Sequence, residues 1–378
     1  MNPARIVLVS DLHANVRLGM ARVDEGGVSS DRLRDVIGVI NQAIDYCLAN
    51  RIPTLGILGD LFDVQRPDGA TIVAVCRVLQ RAASEGLRVI ILPGNHDAVD
   101  RDGRLYNLQL YNELKLPNIH VLGHETIELT AGVRLHAVPW LPEERARRRI
   151  RHRAKEAVAS DRNVLLLHQT MLGAIGDAGY VADGGLTPEQ LAGFDFAFSG
   201  HYHKPQVHDW GMYLGSPIHL KFSEGDVTER GFWDVDLAAK AIKPKLVVPD
   251  FPIFDTVDVD LSEGEHLDDY VDDLADVADG VTYLRLILKG DPRAIEQSRP
   301  LLAKWRGELD KYGLRAIKVD ERPDRVTKAR LKLTKPTFEL GEAIGAYARE
   351  FAPEGADPHA LAELGRRLLD EAAAGAKR

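Results

Sequence analysis

With 378 residues, the chain is too long for one ordinary small domain and suits two domains, or one large domain with appendages. Its 45% apolar content is that of a globular protein with a sizeable core, which excludes a wholly disordered chain. A formal net charge of −9 argues against a free-standing nucleic-acid binder, though not against a nuclease whose basic face is local or supplied by a partner.

The N-terminal run Ile6–Val9 is too short for a signal-peptide core, and no apolar stretch approaches membrane-spanning length. Two cysteines, Cys47 and Cys76, lie in helix-like apolar patterns and read as buried free thiols, since no disulfide framework or C-x-x-C pair exists. A soluble, cytoplasmic protein in a reducing compartment is expected, with no membrane partner.

Ile6–Val9 reads as a buried strand. Arg32 to Leu48 reads as an amphipathic helix, with Leu33, Val36, Ile37, Ile40, Ile44 and Leu48 near helical spacing. Thr54–Leu58 and Arg88–Leu92 are further strands, with a helix over Ala70–Ala83 between them. This alternation implies a sheet with helices on its faces. From Asn118 to Trp140 shorter strands alternate with Gly-containing turns, and Glu143–Ala159 is a charged helix. Val164–Leu167 and Phe194–Phe198 are two more buried strands, followed by short Gly-punctuated strands from Gln206 to Leu237.

Pro-Asp-Phe-Pro, within Val247–Pro252, marks a boundary. After it come an acidic helix-like segment (His266–Ala278) and a strand (Tyr283–Leu288). A helix then opens at Asp291-Pro292, runs toward Leu309 and is interrupted or kinked at Pro300, and a strand follows at Leu314–Val319. These form a small α/β domain. Beyond Pro336, Phe338, Ile344, Tyr347 and Phe351 share one helical face, and Leu361, Leu364, Leu368 and Leu369 form a second stripe. The domains expected are residues 1–248, 249–335 and 336–378.

Groups that bind metals fall where expected strands end. Asp11 and His13 follow the first, Asp60 the second, Asn95-His96-Asp97 the third, His168 the run Val164–Leu167, and His201 and His203 the run Phe194–Phe198. In α/β sheets the carboxyl ends of strands are where ligand crevices form. A mixture of imidazole and carboxylate suits manganese, iron or zinc better than an all-oxygen magnesium site. Asp60 can bridge two cations through its two oxygens, and two cations about 4 Å apart can activate a shared water and clamp a phosphoryl group. Glycines 59, 94 and 200 are expected to let the backbone turn sharply beside the ions. His120, His124, His152, His208, His266 and His359 read as structural, and His136 and His219 as structural or as supports behind the ligands.

The ordered series D-x-H, G-D, G-N-H-D, H and G-H-x-H resembles the calcineurin-like metallophosphoesterase family. Leu165-Leu166-Leu167-His168-Gln169, Gly200 to Gln206, Gly215-Ser216-Pro217-Ile218 and Phe222-Ser223-Glu224 are similar, within it, to SbcD-type DNA nuclease subunits of double-strand-break repair complexes. The resemblance covers residues 1 to about 240. It implies an α/β fold, a metallophosphoesterase β-sandwich of two sheets flanked by helices, with a small capping domain and C-terminal helices. It implies two divalent ions per subunit, with manganese activating: the first held by Asp11, His13, Asp60 and His203, the second by Asp60, Asn95, His168 and His201. A hydroxide bridging the metals would attack phosphorus, His96 would protonate the leaving 3′ oxygen, and Asp97 would orient His96. DNA, an SbcC-type SMC-like ATPase and a second copy of the chain are the partners implied. Some members carry a histidine, linked to exonuclease action, three residues after the bridging aspartate. Asp63 stands there instead, which leaves the balance of exonuclease and endonuclease action open, with Asp63 as a supporting acceptor or a structural cap.

Arg145, Arg147, Arg148, Arg149, Arg151, Arg153 and Lys155 form either a solvated helix face or a phosphate track. Arg315, Lys318, Arg322, Arg325, Lys328, Arg330, Lys332 and Lys335 form a second basic set in which Arg325, Lys328 and Arg330 are candidates for DNA-backbone contact. Ile72, Val75, Val78, Leu79, Leu105, Leu108 and Leu110, on helices expected over Ala70–Ala83 and Arg104–Leu114, pair two subunits or belong to the core. The C-terminal stripes dock on an ATPase coiled coil or pack on their own domain. A small-molecule phosphodiesterase, such as a cyclic-nucleotide hydrolase, and a non-catalytic scaffold are the competing readings.

Overall fold

The short apolar runs do form strands, because each is flanked by turn residues and buried on both faces. In chain order the first elements are β1 (Arg5–Val9), α1 (Asp31–Ala49), β2 (Thr54–Leu58), α2 (Gly69–Ser84), β3 (Arg88–Leu92), α3 (Gln109–Glu113) and β4 (Ile119–Val121). Next come β5 (Thr126–Thr130), β6 (Val133–Val138), α4 (Glu143–Ala154), β7 (Arg162–His168), β8 (Phe196–Gly200), β9 (Gln206–His208), β10 (Gly211–Tyr213), β11 (Phe232–Asp236) and β12 (Lys245–Val247). The Ser30 side chain caps α1 by accepting from the Leu33 N–H, and Asp68 caps α2 by accepting from Thr71. The computed structural model describes residues 3–176, 179–224, 229–262, 265–270, 281–323, 357, 359–365 and 367. Met1–Pro323 forms one compact unit and Asp324–Arg378 another.

Two six-stranded sheets result, in the orders β12-β11-β1-β2-β3-β4 and β5-β6-β7-β8-β10-β9. Strands β1 to β4 run parallel, as do β6, β7, β8 and β10. Alternate side chains sort into three packing layers. Val7, Val9, Ile57, Val89 and Ile91 meet Val36, Ile40 and Ile44 of α1 and Val75 and Leu79 of α2. Ile6, Leu8, Leu58, Ile90 and Leu92 pack against Leu135, Val164, Leu166, Phe198 and Met212 of the second sheet. The other face of that sheet, with Val138, Leu165, Leu167 and Ala197, covers Ala146 and Ile150 of α4. The fold is therefore α/β, a two-sheet sandwich with helices outside it, as the resemblance implies.

A third sheet carries β13 (Phe254–Leu261), β14 (Tyr283–Gly290) and β15 (Ala316–Pro323), all parallel. Between β14 and β15 lie α5 (Pro292–Gln297) and α6 (Arg299–Gly307). Of the interruption or kink expected at Pro300, the structure has the interruption: the helix ends at Ser298 and restarts, so that Pro300 falls in the first turn of α6, where its missing N–H costs nothing. Two other expected helices are shorter. Helix α4 ends at Ala154 rather than Ala159, and only Gln109–Glu113 of the segment 104–114 is helical. Cys47 is buried, but Cys76 is only half-buried.

Arg32, wholly buried, joins the third sheet to the sandwich. Its guanidinium donates to the His219 carbonyl at 2.5 Å and lies 4.8 Å from the Phe254 ring centroid. Beside it, the Tyr283 hydroxyl donates to Asp31 (3.0 Å) and Arg315 donates to both oxygens of Asp35 (2.8 Å each). Arg32→Met removes a cation from beside the buried Asp31 and the half-buried Asp35, which keeps Arg315, and is expected to cost about 3–5 kcal/mol. Thermal denaturation, with faster amide exchange in β13 and β14, is the check.

Among the described residues no helix is long and apolar enough to cross a membrane. In the C-terminal unit, 359–365 is helical and exposes Leu361 and Leu364. Phe338, Ile344, Tyr347, Phe351, Leu368 and Leu369 lie outside the described residues, as do Arg325, Lys328, Arg330, Lys332, Lys335 and residues 271–278.

Candidate metal centre

Loops leaving β1, β2 and β3 in one sheet meet the end of β7 and the loop after β8 in the other. The first two loops extend the pairing of their strands. Asp11 N–H donates to the Gly59 carbonyl (3.0 Å), His13 to Asp60 (2.9 Å) and Ala14 to Leu61 (2.9 Å). To aim their side chains inward, Asp11 (φ 53°), His13 (φ 49°), Asp60 (φ 49°) and His201 (φ 97°) take left-handed backbone. Such conformations cost about 1–3 kcal/mol each and persist where the surroundings enforce them.

Of the three glycines, Gly59 has the turning role expected of it, but Gly94 and Gly200 have a different one. Only Gly59 has a left-handed φ, at 90°. Gly94 and Gly200 are needed for space: a Cβ on Gly94 would lie 2.1 Å from Asp60 Oδ1, and one on Gly200 would lie 2.7 Å from His168 Nδ1.

All seven expected side chains are brought together. Ligand atoms of Asp11, His13 and His203, of His13, Asp60 and His96, and of Asp11, Asp60 and His168 lie within 4.8 Å of one another in each group. The Asn95 Oδ1 lies 3.1 Å from His168 Nε2 and 2.8 Å from His201 Nδ1, which joins the remaining two residues to the cluster. Asp60 Oδ2 lies 3.2 Å from His168 Nε2 and 3.7 Å from His13 Nε2.

Three imidazoles are held from behind through Nδ1. His168 donates to the Leu58 carbonyl (2.9 Å), His13 to Asp63 Oδ1 (3.2 Å) and His203 to Glu224 Oε1 (2.9 Å). This pattern fixes the ring and leaves Nε2 for a metal. The His13 Nε2 is buried and has no hydrogen-bond partner among the described residues. Asp11 and Asp60 are buried carboxylates, which demand positive charge close by. Mixed nitrogen and oxygen donors, an orphaned imidazole nitrogen and two buried carboxylates fit divalent metal ions.

The electrostatics agree. Burial pushes the Asp60 carboxyl up, but the charge and hydrogen bond of His168, with His13 and His96, hold it far below the usual carboxylate range. Burial pushes His168 down, yet Asp60 and Asp11 overcome this and raise it to about 9. Burial and the neighbouring His168 push His201 down to about 3, against the pull of Asp60.

His96 sits beside this cluster, its ring centroid 4.8 Å from that of His13. Its N–H donates to Asp60 Oδ1 (2.8 Å), and its Nδ1 to the Asp63 carbonyl at 2.6 Å. Asp97, expected to orient His96, accepts instead from the Gly94 N–H (2.8 Å) and the Phe62 N–H (3.2 Å). The carboxylate thus braces the loops after β2 and β3. Burial and the Asp60 charge push it up to about 7, against these two donors. Asp63 acts as a supporting acceptor, gripping His13 and Asn15.

Two residues of this site escape sequence reasoning. Glu224 is buried and accepts from His203 and from the Leu220 N–H (3.0 Å). Arg230, wholly buried, donates to the His203 carbonyl (3.0 Å) and lies 3.3 Å from Glu224 Oε2. The motif Phe222-Ser223-Glu224 was the only sign of either. His136 is structural, held between Thr126 and Asn163, and His219 lies at the seam with β13. On α4, Arg147 pairs with Glu143 and Glu144, Arg153 with Glu156, and Arg145 donates to the Asp102 carbonyl. Arg148, Arg149 and Arg151 are exposed.

The calcineurin-like phosphoesterase family model matches residues 4–205. The chain is 26% identical over 174 residues to the DNA double-strand break repair protein Mre11 of Saccharolobus solfataricus, covering 46% of this chain and 44% of that protein. It is 28% identical over 199 residues to exonuclease subunit 1 of Enterobacteria phage T4, covering 52% of this chain and 57% of that protein. Identity to the Mre11 of Methanopyrus kandleri is 28% over 254 residues, 61% of this chain and 54% of that one. The chain thus spans about half the length of the curated relatives it matches. The matched region is more than half of the 378 residues and carries every strand that leads to the candidate ligands, and the chain belongs to the calcineurin-like phosphoesterase family.

Proposed function

We propose that this chain is the nuclease subunit of an SbcCD-type DNA repair complex, hydrolysing phosphodiesters with two manganese ions. The observation that carries this reading is the cluster of seven donors with His96 at its margin, in a chain whose relatives are named as DNA repair proteins and an exonuclease subunit. Asp11, His13, Asp60 and His203 would hold one ion and Asp60, Asn95, His168 and His201 the other. Bound cations supply an activated water at neutral pH and neutralise the phosphoryl oxygens. His96, steadied by the Asp63 carbonyl and the Asp60 carboxylate, delivers a proton to the leaving 3′ oxygen. Asp97 acts on this step through the loops it braces.

Residues 1–248 form the nuclease domain in this reading, 249–335 a cap with Arg325, Lys328 and Arg330 toward DNA, and 336–378 the segment that docks on an SMC-like ATPase. Exposed Leu361 and Leu364 suit docking into an apolar groove. Val75, Val78, Leu79 and Leu108 are core, but Val73, Leu105, Leu110 and Leu114 are exposed and suit pairing of two copies. The cytoplasm is the proposed compartment.

Cleavage of labelled single- and double-stranded oligonucleotides with manganese, with and without the ATPase, tests the reading. Hydrolysis of cyclic nucleotides with no action on any DNA would overturn it. Glu224→Ala frees the His203 imidazole, and metal affinity is expected to fall about 10- to 100-fold. Isothermal titration with manganese reads this directly.

A further inference from the structure

A cavity of about 400 Å³ opens beside the metal centre and is lined by residues that the proposed chemistry does not use. Trp140, Tyr180 and Tyr202 supply aromatic surface, and Gln169, Thr170 and Asp183 supply polar groups. Two lining residues are chain neighbours of ligands: Gln169 follows His168, and Tyr202 stands between His201 and His203. We propose that this cavity receives one unpaired nucleobase of the strand being cut, next to the scissile phosphate. The proposal rests on the nuclease reading and deepens it.

The chemistry of the walls selects the ligand. An anionic phosphate is disfavoured by the Asp183 carboxylate, whereas the amino and imino N–H groups of a base can donate to it. Flat aromatic side chains offer stacking that tolerates any base. The size suits one ring system and its sugar. A base within a duplex cannot enter, so the nucleotide must already be unpaired or be drawn out of the stack.

The cavity is also preformed. Tyr202 rests edge-on against His201 (centroids 5.3 Å) and Tyr213 (5.0 Å). Tyr213 in turn accepts from the Met171 N–H (2.7 Å) and donates to the Gln169 carbonyl (2.9 Å). The loop that carries Tyr180 and Asp183 is tied down at several points. Leu186 N–H donates to the Thr170 carbonyl (2.9 Å), and Gln206 both accepts from the Ile175 N–H (2.7 Å) and donates to the Ile175 carbonyl (2.8 Å). Tyr180, by contrast, is 61% exposed, and its hydroxyl donates to Asp183 at 3.4 Å. It is the stacking face open to an incoming base.

An abasic scan tests this. Single-stranded oligonucleotides carry one abasic residue at successive positions across a defined cleavage site. They are assayed with manganese in the wild type and in Tyr180→Ala, with each rate normalised to hydrolysis of bis(p-nitrophenyl) phosphate. In the wild type, one position flanking the scissile phosphate should lose about 5- to 100-fold in kcat/KM, the range of base–aromatic stacking, with smaller losses elsewhere. In Tyr180→Ala that loss should shrink. A flat profile in the wild type, or an unchanged profile in Tyr180→Ala, overturns the base pocket while the nuclease reading stands. Hydrolysis of bis(p-nitrophenyl) phosphate with no cleavage of any oligonucleotide overturns both.

Discussion

Asp60→Asn is expected to lower metal-dependent phosphodiester hydrolysis by about 1,000-fold or more, equivalent to roughly 4 kcal/mol of transition-state stabilisation, while the fold survives. The size follows from how many groups converge on one carboxylate. Asp60 Oδ1 takes the His96 N–H at 2.8 Å, and Oδ2 faces His168 at 3.2 Å and His13 at 3.7 Å. Asparagine keeps the shape but turns one oxygen into a donor. It then either faces imidazole nitrogens that need an acceptor or a cation, or leaves the His96 N–H unpaired. Metal content by elemental analysis should fall with activity, and the melting temperature of the metal-free protein should change little. Wild-type turnover by Asp60→Asn would show that the carboxylate is not the hub of the site.

His96→Ala is expected to lower turnover on DNA by about 100- to 10,000-fold, the usual worth of a positioned general acid. The comparison that isolates the role uses two leaving groups. A deoxyribose 3′ oxygen needs a proton as it departs, whereas p-nitrophenolate does not. Hydrolysis of bis(p-nitrophenyl) phosphate should therefore suffer far less. Because the His96 ring lies among potential ligand atoms with His13 and Asp60, metal content must be measured in the same variant. Retained metal with a leaving-group-dependent loss supports the acid role. Lost metal with equal losses on both substrates makes His96 a ligand.

Much of the first sheet was legible because buried parallel strands announce themselves as apolar runs closed by turn residues. Thr54–Leu58 and Arg88–Leu92 coincide with β2 and β3 to the residue. What the runs could not convey is pairing. That β1, β2 and β3 lie in one sheet and β7 and β8 in the other depends on contacts between residues far apart in the chain, and the candidate ligands therefore come from both sheets. Helix ends were less legible. Helix α4 stops at Ala154, short of the expected Ala159, where tertiary contacts rather than propensity decide.

The donor side chains that the structure brings together were readable because each stands at or soon after the end of an apolar run. Their supports were not. Asp97 follows His96 in sequence, but its carboxylate turns to Gly94 and Phe62 while the His96 ring turns to Asp63. Glu224 and Arg230 meet behind His203 from a segment with no periodic signal, and only folding reveals a buried carboxylate facing a buried guanidinium. Glycines 94 and 200 look like turn residues, yet the structure uses them to leave room for Asp60 and His168.

The most direct measurement follows DNA cleavage by metal-stripped protein as manganese is added, with bound manganese counted in the same samples. No cleavage without a divalent ion, and cleavage that rises with manganese and saturates at two ions per chain, is the result expected of this site. Cleavage that persists in chelator, or full manganese binding with no cleavage of any DNA, would contradict it.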